Sequence, residues 1–269
     1  LFGLGAVGIV YGALVALVQT DLKRLVAYSS VSHMGYVVMG LFALTPVALE
    51  GANLQLINHG LASAGLFAIV GMIYERFHTR SIANLGGIAT RAPWLAAFFM
   101  LFTFSSIGLP GLNGFVGEFM ILAGSFQRAW SGVSAAWQTY YLTMSLMAVV
   151  GVVLGAWYML QAMQRVFFGP SREPPRSDHG KHGQHAQHGH GDGANLDLRW
   201  HELAALAPLA VFVVWIGLVP GTFLAPVSQA VRAASDNAAF AFAARMADPP
   251  AAGNVALPSA SPEPRTAAR

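Results

Sequence analysis

Cysteine is absent from all 269 residues. Disulfides, thiolate-bound metals and cysteine-held iron–sulfur clusters are therefore excluded from this chain. Charge is scarce too. Asp, Glu, Lys and Arg make up only 10% of the residues, against about 25% in ordinary soluble domains. No pattern resembling a nucleotide-binding fold, a redox-centre ligand set or a hydrolytic triad occurs. The formal charge of +3 and pI near 9.4 do not point to nucleic acid, because the basic residues gather in short loops between apolar runs.

Long hydrophobic runs take the place of charge. Six of them, at about 1–18, 25–44, 52–74, 94–126, 138–168 and 203–226, are long enough to cross a hydrocarbon core of about 30 Å. The fold class expected is all-α: a polytopic membrane protein with six transmembrane helices, one of them discontinuous. The chain opens at Leu1 inside an apolar run, with no charged leader or cleavage site, so it reads as the C-terminal part of a longer membrane protein. Loops 19–24, 75–93 and 165–202 hold ten Lys/Arg, whereas 45–51 and 127–137 hold only Arg128. The positive-inside rule puts the first set on the cytoplasmic or equivalent side.

The fourth run is interrupted. Between Ser105 and Met120 it carries Gly108, Pro110, Gly111 and Gly114, then Gly117 and a lone carboxylate, Glu118. Pro110 lacks an N–H and the glycines loosen the backbone, so two half-helices are expected, the first ending near Ile107 and the second resuming near Val116. Freed backbone groups survive at membrane depth only inside protein or along a wet cavity. Transporters place ion sites at such breaks, and an ionisable residue beside one is functional by default. Glu118 is the first candidate.

Further polar residues sit in the other runs. Tyr28-Ser29-Ser30-Val31-Ser32-His33 is dense polarity for a membrane helix. Its serines read as bonding to their own helix or gluing neighbours together, whereas His33 can exchange protons near neutral pH. Gln55 and His59 are four residues apart and share one helix face, with Asn53 and Asn58 nearby. His59 is either a second proton carrier or a packing residue held by a hydrogen bond. Tyr140, Tyr141, Trp157 and Tyr158 suit interfacial belts. Lys23 and Asp21 mark a membrane boundary. A carboxylate at a helix break with two intramembrane histidines resembles a proton relay.

Four regions follow. Residues 1–168 form the proton-conducting bundle, and 169–201 a His/Gly/Pro-rich flexible linker with five histidines between residues 179 and 190. A final transmembrane helix is expected over 202–226 and an amphipathic to disordered tail over 227–269. The linker histidines lack a fixed scaffold or a carboxylate pattern, so no metal site is assigned to them.

Gln19-Thr20-Asp21-Leu22-Lys23-Arg24 through His33-Met34-Gly35, then Asn58-His59-Gly60-Leu61, then Gly108-Leu109-Pro110-Gly111 through Gly117-Glu118-Phe119 resemble the antiporter-like subunits of respiratory complex I, the NADH:quinone oxidoreductase. The Tyr74–Gly87 loop and a glutamate at 118, where sibling subunits L and N carry lysine, favour one branch of that family. The resemblance implies the second inverted repeat of an antiporter-like bundle plus a final helix. It implies a proton path through Glu118, His33 and His59, with a less direct role for Lys23. It further implies a non-redox subunit of a translocase: NADH, FMN, iron–sulfur clusters and quinone are expected on other subunits, with L and N as neighbours, in a bacterial inner membrane. A cation/proton antiporter subunit of the multisubunit sodium/proton type, uncoupled from electron transfer, is the alternative.

Overall fold

The computed structural model describes residues 1–172, 196–231 and 233. Its elements are α1 (Phe2–Leu17), α2 (Leu22–Ala43), α3 (Pro46–Phe77), α4 (Ile88–Arg91), α5 (Pro93–Ser106), α6 (Asn113–Ala129), α7 (Ala135–Phe167) and α8 (Trp200–Leu218). The described residues form no named strand; a single isolated bridge joins Asp21 and Ser81. Four helices, α2, α3, α7 and α8, are long and apolar enough to cross a membrane, and α1 and α5 are shorter apolar helices. The chain is thus an all-helical, multi-pass membrane protein.

Local chemistry accounts for the ends. Asp21 starts α2 by accepting the Arg24 N–H at 3.0 Å, and Thr45 starts α3 ahead of Pro46, whose missing N–H costs nothing at a first helical position. The turn after α1 is fastened to the loop after α3: Leu22 N–H donates to Arg80 O and Ile82 N–H to Thr20 O, each at 2.9 Å. Residues 19–22 and 79–82 therefore share one end of the bundle. α1 and α2 pack backbone against backbone, since a Cβ on Gly5 would meet the Met39 backbone and one on Gly12 the Ser32 backbone. Among lipid tails, this close approach is what holds helices together.

Two apolar cores form. One contains Leu22, Leu25 and Val26 of α2 with Leu66, Ile69 and Ile73 of α3; the other contains Tyr36, Val37 and Met39 of α2 with Ala48 and Ala52 of α3. His33 on α2 and Gln55 and Asn58 on α3 fall between these stretches, so a polar belt separates the cores. Outside, Tyr11, Leu14, Val149, Val153 and Trp157 are exposed, an apolar exterior suited to lipid.

Several expectations need correction. The second half-helix resumes at Asn113 rather than near Val116. α3 begins earlier than expected, at Pro46, and the last helix stops at Leu218 rather than near residue 226, a new helical run starting at 221. Tyr158 belongs to no interfacial belt: it is 1% exposed in the core. The five linker histidines, 179–190, and most of the tail lie outside the described residues.

Candidate functional site

The broken span brings the polar residues together. α5 ends at Ser106, six residues turn, and α6 starts at Asn113. Gly108 (φ 72°) and Gly111 (φ 94°) take left-handed backbone there, which a side chain would strain. Gly114 is not part of the break. It sits in the first turn of α6, where a Cβ would run into the Ser105 carbonyl; its role is close approach of the half-helices. Gly117 does the same for α3, a Cβ there meeting the Gln55 amide.

With α6 held so close, Glu118 turns inward and is 5% exposed. His33 Nδ1 lies 2.9 Å from Glu118 Oε1, and Gln55 Nε2 donates to the same oxygen at 3.2 Å. On the far side of the ring, His33 Nε2 lies 3.1 Å from Ser106 Oγ. The His59 ring centroid is 5.7 Å from that of His33. Asn58 Nδ2 donates to Asn113 O at 2.7 Å, and Ser105 Oγ donates to Asn113 Oδ1 at 2.5 Å. A charged carboxylate so far from water needs this company, because burying it without partners is costly. When His33 carries a second proton the contact becomes a buried ion pair, and when it does not, Nδ1–H still donates to the carboxylate.

Two small cavities flank the pair, each with about 10 Å³ open to a water centre, room for about one water. One is lined by Gln55, Asn58, His59 and Ser105, the other by Ser32, Tyr36, Glu118 and Gly151.

Among the sequence candidates, Glu118, His33 and His59 converge. Lys23 does not join them. It is exposed in the first turn of α2, ten residues before His33, about 15 Å along the helix. The serines take the structural reading: Ser29 and Ser30 donate to Val26 O, and Ser32 donates to Ile9 O of α1 at 2.9 Å. Sequence reasoning missed Ser105, Ser106 and Asn113 as site members. A signal was present, for they are the only polar side chains between Phe104 and Phe115. Among the described residues no cluster of three metal-ligating side chains occurs.

This arrangement has relatives. The family described as NADH:quinone oxidoreductase/Mrp antiporter, TM, matches residues 1–148. NADH-quinone oxidoreductase subunit M of Rickettsia prowazekii is 38% identical over 82% of this chain and 39% of its own length. The subunit M of Pseudomonas aeruginosa is 40% identical over 81% of this chain and 37% of its own. The chain thus spans about two-fifths of the length of these relatives. Among solved structures, a chain of respiratory complex I from Thermus thermophilus aligns with a TM-score of 0.67 and 32% identity, covering 86% of this chain and 43% of that one. A chain of the Mrp complex from a Dietzia species, at 24% identity and a TM-score of 0.68 over 86% of this chain and 46% of that one, shares the fold.

Proposed function

The chain belongs to the NADH:quinone oxidoreductase/Mrp antiporter transmembrane family, and from that premise we propose that it is the proton-conducting half of a membrane subunit of NADH:quinone oxidoreductase. It moves protons and carries no redox centre; NADH, FMN, iron–sulfur clusters and quinone belong to other subunits. Its neighbours are the sibling antiporter-like subunits L and N, in a bacterial inner membrane. α1, α2, α3, the α5/α6 pair, α7 and α8 serve as the six spans, the second inverted repeat plus a final helix.

The observation that carries this reading is the buried His33–Glu118 contact of 2.9 Å at the break between α5 and α6. Both groups are ionisable, they touch, and water-sized cavities lie on either side. A proton arriving near His59 is taken up at His33 Nε2, and the ring hands its Nδ1 proton to the Glu118 carboxylate; loss from Glu118 toward the second cavity, with return of the remaining ring hydrogen from Nε2 to Nδ1, resets the pair. Gln55 holds Oε1 in place through either charge state. Lys23, at the basic end of the bundle, stands outside this short chain of groups.

Glu118→Gln in the full-length protein tests the proposal. Assembly and the amide hydrogen bonds are expected to survive, while NADH-driven acidification of everted vesicles falls at least about tenfold. Wild-type acidification in that variant would sink it. The second reading, an antiporter subunit, is favoured by the shared fold with the Mrp chain. It requires sodium-driven proton movement without NADH oxidation.

A further inference from the structure

His33 and Ser106 have a property that no other pair of site residues shares: both line the cavity on the His59 side and both line the cavity on the Glu118 side. They form the wall between the two. His33 is 5% exposed and Ser106 9%, so no bulk water relieves an unpaired nitrogen there. The ring is held at both ends, with Nδ1 2.9 Å from Glu118 Oε1 and Nε2 3.1 Å from Ser106 Oγ.

The two partners differ in chemistry. An ionised carboxylate only accepts, so the Glu118 contact demands a hydrogen on Nδ1. Nε2 then bears a lone pair when the ring is neutral and a hydrogen when it is cationic. A serine hydroxyl donates one hydrogen bond and accepts two, and its hydrogen rotates freely. It can therefore donate to the lone pair or accept from N–H without any heavy atom moving. The backbone beneath it is fixed, with Ile107 N–H donating to Thr103 O at 3.0 Å, Gly108 N–H to Ser105 O at 3.2 Å and Leu109 N–H to Phe104 O at 3.0 Å. Fixed backbone with a free rotor suits a group that must serve both charge states.

We propose that Ser106 is a positioning residue for His33: its hydroxyl pairs with Nε2 in both charge states, so the imidazole gains and loses a proton between the two cavities while keeping its Glu118 contact. The inference rests on the proton-relay reading above. Around the His33–Glu118 pair, the titratable groups are His59 from α3, facing the His33 ring, and Tyr158 from α7 and Tyr36 from α2, both interacting with Glu118.

The test uses the full-length chain in its native membrane complex, with assembly followed on native gels. Threonine and valine at this position have nearly the same size and differ in the hydroxyl. Ser106→Thr is expected to keep NADH-driven acidification, whereas Ser106→Val lowers it roughly tenfold, the scale set by leaving one buried nitrogen without its hydrogen-bond partner. The valine variant is also expected to change the pH profile across roughly pH 6 to 8, where an imidazole titrates. Wild-type rate and profile in Ser106→Val would overturn the assignment, as would equal losses in both variants with an unchanged profile, which would mark a steric effect. Should valine prevent assembly, Ser106→Ala takes its place, and a wild-type rate and profile there overturns the assignment as well. Glu118→Gln runs alongside. If it pumps normally the relay reading itself fails; if it is inactive while Ser106→Val is normal, only the role of Ser106 fails.

Discussion

Two buried carboxylates, Glu118 and Glu202, sit in clusters near opposite ends of α5 and do opposite work. Glu118 faces His33 and Gln55, near Ser106 at the C-terminal end of the helix. Glu202 faces Arg76, whose Nη2 lies 2.5 Å from Glu202 Oε2, with both side chains about one-tenth exposed. Arg76 also donates to Leu196 O and Asp197 O, and Asp197 in turn accepts the N–H groups of Trp94 and Leu95 at 3.0 Å. An arginine does not release its proton in a protein. That cluster therefore has one charge state and acts as a clamp, joining α3, α8 and the N-terminus of α5. The partner of Glu118 is an imidazole, so its cluster has several charge states. Similar burial thus suits attachment at Glu202 and, on the proposed function, proton exchange at Glu118, the difference lying in the partner side chain. With its N-terminus clamped, α5 spans about 21 Å and presents Ser105 and Ser106 to the break at a fixed height.

The comparison can be broken by removing one partner. Arg76→Met is expected to have the largest effect on stability, about 3–5 kcal/mol, because it leaves Glu202 buried without its cation. A lowered thermal midpoint of the detergent-purified full-length protein, read by tryptophan fluorescence, would show it; an unchanged midpoint would mean the clamp holds nothing. Carboxylate-to-amide changes sharpen the contrast. Glu202→Gln should cost about 2 kcal/mol, since Arg76 stays charged. Glu118→Gln should cost less than about 1 kcal/mol, since His33 can remain neutral and still hydrogen-bond. Equal midpoint shifts for the two would erase the distinction between clamp and relay. Asp197→Asn should cost about 1 kcal/mol, from the loss of a negative charge at the start of α5, and it should leave acidification by the assembled complex unchanged.

Much of this was legible before any coordinates. Pro110, Gly108 and Gly111 announced the break because backbone stereochemistry is local, and His33, His59 and Glu118 stood out as ionisable groups in apolar runs. The role of Gly114 was misread because glycine marks both turns and close packing, and only the neighbouring Ser105 carbonyl tells which. Tyr158 was misplaced because an aromatic amphipathic ring suits both an interface and a core. The Arg76 clamp was invisible, since 126 positions separate it from Glu202.

The sequence by itself determined that this chain lives in a membrane, where its discontinuous span breaks and which ionisable residues lie in its apolar runs. Each follows from hydropathy, backbone freedom or side-chain pKa, properties a residue keeps whatever surrounds it. The tertiary structure alone decided that His33 meets Glu118 across 85 positions, that Ser106 stands behind the ring, and that Arg76 and Glu202 lock instead of exchange. Pairing depends on which helix faces pack, and helix packing here turns on ångström-scale contacts at small residues such as Gly12, Gly114 and Gly117. Hydropathy does not record those contacts.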